Sequence, residues 1–272
     1  MFLTFESPRS ISALKKLASQ LREDNVSMAQ HEALNRAANA AGFSNYKHAQ
    51  RNLPDVMRQL TIRVRWRNDV SSGVESLSYP FPWSADDVVG MKLRAARIAA
   101  SWASAPQSLT HSAIADSQYS ARVWATQCVR ELMFMEATGL RPVFISHVLP
   151  RRRIKFMGET GYERVAPPGE DHLSGWRCPQ SKSVVLLDEP YIDSDRYQRA
   201  ERLNWLSDYG YTQAKSGWGG TYLPPETVMI MLVKDGGSLT INDLESKIRG
   251  LPDNFGVADT HWKGRSESFA LA

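Results

Sequence analysis

Arg63, Arg65 and Arg67 alternate with Ile62, Val64 and Trp66. A period of two belongs to a strand with one apolar face and one guanidinium face. Arginines two apart on a strand stand about 6.6 Å from each other. Each can make paired hydrogen bonds to a phosphate, so the pattern suits a nucleic-acid strand or an acidic protein partner. The competing reading is a strand whose outer face is solvated or paired with neighbouring carboxylates. Arg151, Arg152, Arg153 and Lys155 form the densest basic cluster of the chain, which reads as a second phosphate contact or as a solvated turn.

Other groups could do chemistry of a different kind. Val184 to Pro190 reads Val-Val-Leu-Leu-Asp-Glu-Pro and resembles the Walker B strand of ATP-binding-cassette ATPases, in which an Asp holds magnesium and a Glu polarises water. The phosphate-cradling partner, a glycine-rich loop ending in Gly-Lys-Ser/Thr, is missing, which argues against ATP hydrolysis. Asp188 and Glu189 remain as weak metal candidates, with Asp193 and Asp195 nearby, for a metal-dependent phosphodiesterase. Arg196, Arg199 and Arg202, followed by Trp218 and Tyr222 in a glycine-rich loop, have the composition of a stacking surface for bases or sugars. The alternative is that these rings pack beneath a turn. The loop spacing is not that of a dinucleotide fingerprint, and no cofactor is expected. The six histidines make no close pair of metal-binding spacing, and Cys128 and Cys178 make neither a metal motif nor a disulfide framework. No catalytic residue is assigned.

The elements that must carry these groups are legible in part. Ile11, Leu14, Leu17, Ala18 and Leu21 mark a first amphipathic helix. Ser27 with Gln30 is a capping-box pattern, and Leu34, Ala37, Ala38 and Ala41 continue a second helix that Gly42 stops. Ser44 is placed to cap a short third helix that Pro54 closes. A strand follows over Leu60 to Arg67, and its partner ends at Tyr79 to Trp83. The spacing then predicts a helix from Ser84 through Trp102 and a longer one from Thr110 to Gly139, with Trp124 and Cys128 in its core stripe. Pro142 to Leu149 reads as a buried strand, Asp193 as the cap of a helix through Leu203 and Leu206, and Met229 to Val233 as a buried strand. Thr240 with Asp243 opens a last helix, and the tail beyond Pro252 reads as loop.

The run His31-Glu32-Ala33-Leu34, with Ala38 and Gly42-Phe43-Ser44-Asn45-Tyr46, resembles a small helical module at the N-terminus of a family of uncharacterised bacterial proteins. The likeness covers about the first 55 residues. It implies a protein of plasmids and other mobile elements, and a similar module carries a "glyoxalase-related" label. That label implies no activity here, because the spaced His and Glu set of a glyoxalase metal site is missing.

The expected fold class is α+β, with a three-helix module over residues 1–55 and a mixed or antiparallel sheet domain with packed helices over 56–272. The formal charge of +4 is unevenly spread: residues 1–56 carry +2, residues 57–157 carry +7 and residues 158–272 carry −5. A basic middle and an acidic end mark either a polyanion-binding face or two halves that attract each other. The first residues lack a signal-peptide pattern and no apolar run approaches the ~20 residues of a membrane span, so a cytoplasmic protein without membrane contact is expected.

Three functions follow. The first is a nucleic-acid or acidic-partner binding factor that uses the two arginine clusters, with a loose helix-turn-helix look around Asn45, Lys47, Gln50 and Arg51. The second is the phosphodiesterase centred on Asp188 and Glu189. The third is a protein-interaction module built on the N-terminal helices. Oligomeric state is not legible.

Overall fold

The computed structural model describes residues 8–93, 102–156, 159–193, 200–253 and 262–271. Seven α-helices and twelve strands are present among them, and the fold class is α+β. The chain divides into two compact units, Met1–Leu60 with Tyr79–Ser84, and Thr61–Ser78 with Ala85–Ala272.

The first unit is built on α1 (Ile11–Asp24), α2 (Gln30–Ala40) and α3 (Tyr46–Asn52). Leu14, Leu17 and Ala18 of α1 meet Ala33, Ala37 and Ala38 of α2 and Ala49 of α3 in one apolar cluster. Alanine at the contact lets the helix axes approach closely. Ser10 caps α1 by accepting the Ala13 N–H, while the Ile11 and Ser12 N–H groups donate to Pro54 and Asp55 carbonyls at 2.8 and 2.9 Å. The chain leaving α3 thereby satisfies donors that the first turn of α1 cannot. Gly42, at φ +83, ends α2. Phe43 N–H reaches Ala38 C=O and Gly42 N–H reaches Asn39 C=O, the two bonds of a Schellman stop.

Two caps differ from the sequence expectation. The Ser27–Gln30 capping box does not form: Ala29 is the N-cap, Ser27 donates to Asn25, and Gln30 accepts from Arg22. Neighbouring polar side chains outcompete the backbone donors. Helix α3 is capped by Asn45, which accepts the His48 N–H at 2.8 Å, and Ser44 instead pairs with the His48 ring.

β1 (Arg58–Arg67) and β2 (Ser71–Phe81), which belong to the second unit over Thr61–Ser78, form a hairpin inside a five-stranded sheet ordered β12-β2-β1-β4-β3. The order places β3 (Trp102–Ala105) and β4 (Ser108–Ala115) at one side and β12 (Arg265–Ala270) at the other. β1 runs parallel to β4, β3 antiparallel to β4, and β12 antiparallel to β2, so this sheet is mixed. The second sheet, ordered β10-β11-β9-β8-β5, is antiparallel throughout. It comprises β5 (Arg141–Val143), β8 (Ser174–Arg177), β9 (Val184–Asp188), β10 (Tyr211–Lys215) and β11 (Ile230–Lys234). Among the described residues, β6 (Arg151–Phe156) and β7 (Glu159–Arg164) pair only with each other.

Helix α5 (Gln118–Thr138) serves both large sheets. Its first turns cover the inner face of the mixed sheet, where Gln118 Nε2 and Arg122 Nε donate to the fully buried Glu75 at 2.9 and 3.1 Å. Its last turns bring Phe134 edge-on to Trp176 of β8. The opposite face of the antiparallel sheet packs Leu186, Ile230 and Leu232 against Trp205 and Leu206 of α6 (Ala200–Tyr209). β9 and β11 are therefore buried on both faces, which is why their sequences are continuous apolar runs. α7 (Ile241–Ile248) opens with the expected capping box of Thr240 and Asp243.

Four expected elements come out differently. The helix begun at Ser84 is only α4 (Ala85–Gly90), and Trp102 starts β3, the intervening residues 94–101 lying outside the described set. Residues 108–115 are strand β4, and α5 starts after the Ser117 cap, because pairing with β1 outweighs the helical spacing of Ile114, which is 53% exposed. The strand expected over Pro142 to Leu149 is three residues of β5 followed by a 3-10 turn. Part of the tail expected to be loop is strand β12.

Candidate nucleic-acid interface

On β1 the burial alternates as the sequence requires: Ile62, Val64 and Trp66 are buried, and Arg63, Arg65 and Arg67 are exposed. Gly73 of β2 is needed where the Trp66 ring lies against it, since a Cβ there would sit 2.8 Å from two ring carbons. Thr61 and Ser78, whose hydroxyls are 2.8 Å apart, set the pairing of β1 with β2. Counting in twos places Arg63 beside Ser76, Arg65 beside Val74 and Arg67 beside Ser72. β12 extends these rows, with Arg265 opposite Ser76, Glu267 opposite Val74 and Phe269 opposite Ser72. On the other flank Thr110 pairs with Arg63, and Ile114 with Arg65.

Among the described residues the strands of the mixed sheet thus carry on their outer face Arg63, Arg65, Arg67 and Arg265 against a single carboxylate, Glu267. Phe269 and Ile114 are 60% and 53% exposed on it. A concavity of about 240 Å³ lies between them, bordered by Arg65, Arg67, Ser72 and Val74. Arg65 Nη2 donates to Ser112 C=O at 3.2 Å, which holds that guanidinium at the rim. Of the competing reading, the carboxylate-paired form does not apply, because none of Arg63, Arg65 and Arg67 has an ion-pair partner among the described residues, and these arginines are solvent-exposed.

The second basic cluster is a β-hairpin strand, not a turn. Alternation and register place Arg151, Arg153 and Lys155 on one face with Arg164, Tyr162 and Thr160 opposite them. Arg152 points to the other face and is neutralised by Glu163, Nε to Oε1 at 2.8 Å. Tyr162 is 69% exposed beside Arg153. Here too a row of cations surrounds an exposed ring. The two basic clusters lie on separate sheets.

Of the remaining sequence candidates, Trp218, Arg202, Asp188 and Glu189 are buried. Trp218 is buried, stacked parallel to Phe134, with the Arg130 guanidinium 4.4 Å from its ring centroid. The expected stacking surface in this loop is therefore a core contact. Tyr222 is half-buried and stacks on His172 at 3.7 Å. Arg202 is fully buried, whereas Arg196, Arg199 and Asp195 lie outside the described residues.

Asp188 and Glu189 are both fully buried, and their oxygens are engaged by the protein. Asp188 Oδ2 meets Arg202 Nη1 at 2.6 Å and Oδ1 accepts the Asp171 N–H at 2.7 Å. Glu189 Oε2 accepts the Thr221 hydroxyl at 2.7 Å, and Oε1 accepts the Thr221 and Tyr222 N–H groups. Burial pushes the Asp188 carboxyl up, against the pull of Arg202 and the Asp171 N–H. Burial also lowers the Arg130 guanidinium to about 10, opposed by Asp253 and Glu189. Carboxylates buried in this way, one of them ion-paired to Arg202, do not suit an entering divalent cation, and no cluster of three or more metal-ligating side chains occurs among the described residues.

Phe269, Arg265, Tyr162 and Arg164 were not singled out in the sequence. Arg-Ser-Glu-Ser-Phe-Ala does alternate, but its polar composition hides the strand. Comparison with protein-family models, curated proteins and solved structures finds no match. No helix among the described residues is long and apolar enough to cross a membrane.

Proposed function

We propose that this protein binds single-stranded nucleic acid across the outer face of the mixed sheet. Arg63, Arg65, Arg67 and Arg265 take phosphates, and Phe269 stacks a base at the edge of the concavity. The observation that carries this reading is the grid of exposed arginines, without ion-pair partners among the described residues, around an exposed ring and a recess. Bases of a single strand splay onto such a surface, whereas the duplex major groove admits a helix or a two-stranded ribbon. Helix α3, at seven residues, is short for groove reading, so the helix-turn-helix alternative is not preferred. The hairpin face of Arg151, Arg153, Lys155 and Arg164 with Tyr162 offers a second contact of the same chemistry. The setting of an accessory factor of a bacterial mobile element rests on the resemblance of the N-terminal helices alone.

The test is fluorescence anisotropy of labelled single-stranded and duplex oligonucleotides over a salt series. Single strands lose about 0.7 in log–log salt slope per phosphate contact, so the triple variant Arg63→Ala, Arg65→Ala, Arg67→Ala flattens the slope by about 2. Phe269→Ala weakens single-strand binding and leaves the slope unchanged. Equal binding by the triple variant and the unaltered chain, or a preference for duplex, refutes the reading.

A further inference from the structure

His172 stands at φ 54, a backbone conformation that an L side chain adopts at a cost and that its surroundings must hold. The end of β9 supplies that hold. Asp171 N–H donates to Asp188 Oδ1 at 2.7 Å, Glu189 N–H donates to Asp171 C=O at 2.9 Å, and Tyr222 donates its own N–H to Glu189 Oε1 at 3.0 Å. The two buried acids thus anchor both segments whose rings, His172 and Tyr222, stack with centroids 3.7 Å apart. Rings held in this way form a wall that need not reorganise when a ligand arrives.

A cavity of about 280 Å³ opens beside that wall. Ser174 and Trp176, two apart on β8, share one face of the strand, with Pro142 of β5 opposite Trp176, and Phe134 of α5 fixes the Trp176 ring from the side at 4.9 Å. Pro142, Ser174 and Trp176 line the cavity together with Phe144, His172 and Tyr222. Its volume is at the small end of the range of ligand pockets, roughly 300–1,000 Å³, and suits a single ring. Phe144 is 51% exposed, with only the His147 ring edge-on to it at 5.6 Å in the way of aromatic contact, so its ring is accessible to another. Glu131, also in the lining, already has its partner within the protein, and the described lining holds no lysine or arginine, so a neutral ligand fits best. Ser174 Oγ accepts the Trp176 Nε1 hydrogen at 2.9 Å, which leaves the serine O–H as a donor.

We propose that this cavity binds a small neutral aromatic molecule, one planar ring bearing a carbonyl or ring-nitrogen acceptor. The ring lies among Phe144, Trp176 and the His172–Tyr222 wall, and the Ser174 hydroxyl donates to the acceptor. This site is independent of the cationic sheet face.

Titration of the full chain with benzamide and with cyclohexanecarboxamide, followed by saturation-transfer-difference NMR, tests the proposal, because the two compounds share the carboxamide and differ in the ring. Saturable binding of benzamide is expected about three- to tenfold tighter than that of cyclohexanecarboxamide. Phe144→Ala, at a half-exposed position, leaves the fold intact and lowers benzamide affinity by a similar factor, while Ser174→Ala weakens both amides alike. The Arg63, Arg65, Arg67 triple alanine variant retains the binding. Absence of saturable benzamide binding, equal affinity for the two amides, or unchanged benzamide affinity in Phe144→Ala overturns the proposal. If Ser174→Ala fails to fold, the pair of compounds on the unaltered chain and on Phe144→Ala still decides.

Discussion

Replacing Arg202 by methionine separates a structural Asp188 from a chemically active one. Both side chains are fully buried, and the guanidinium gives Asp188 its ion pair at 2.6 Å and Gln213 Oε1 a hydrogen bond at 2.9 Å. Breaking a buried pair from one side costs about 3–5 kcal/mol, because the surviving charge is left in a dry environment, and the hydrogen bond adds about 1 kcal/mol. Arg202→Met therefore destabilises the protein by about 4–6 kcal/mol in urea unfolding followed by tryptophan fluorescence. Adding Asp188→Asn removes the orphaned charge while keeping an acceptor for the Asp171 N–H, so the double variant recovers at least about 2 kcal/mol. The pH dependence has a fixed sign. Burial already holds the Asp188 carboxyl above its ordinary value, and losing Arg202 raises it further. A carboxyl raised in the folded state takes up a proton on folding, so its destabilising effect is full above the folded pKa and fades as pH falls through it. The deficit of Arg202→Met against the unaltered chain narrows in acid. A loss below about 1 kcal/mol, or a double variant no more stable than the single one, would refute this account of the pair.

Two more outcomes follow from local geometry. Ser10→Ala removes the cap of α1 and costs about 1 kcal/mol, whereas Ser27→Ala, at a position that caps nothing, stays within about 0.5 kcal/mol; equal losses in thermal unfolding would contradict the observed caps. Hydrogen bonds from Ser181 lower the Cys178 thiol, while burial raises that of Cys128, so iodoacetamide labels Cys178 in the folded chain and Cys128 only on unfolding, as peptide mass mapping will show.

Local pattern and tertiary context contributed differently. The three N-terminal helices, the Gly42 stop, β1 with its arginine face, β9, β11 and the Thr240 capping box were legible, because each is specified within one turn or one strand by periodicity, capping chemistry or a continuous apolar run. The helical spacing around Thr110 and Ile114 misled, because strand pairing there is decided by β1, some fifty residues earlier in the chain. β12 was hidden for the same reason: all its side chains are exposed, so no buried face marks it, and only its ladder with β2 makes it a strand.

The chemistry divides along the same line. Sequence by itself determined that Arg63, Arg65 and Arg67 share one face, since alternation along a strand does not depend on what lies beside it. Tertiary structure decided what surrounds them, setting Phe269, Arg265 and Ile114 in register with the arginine rows. It also turned Asp188 and Glu189 from candidate metal ligands into buried anchors of His172, and Trp218 from a surface ring into a core contact. Charge and aromaticity are properties of a residue, but exposure and partnership come from segments far apart in the chain, and only folding brings those segments together.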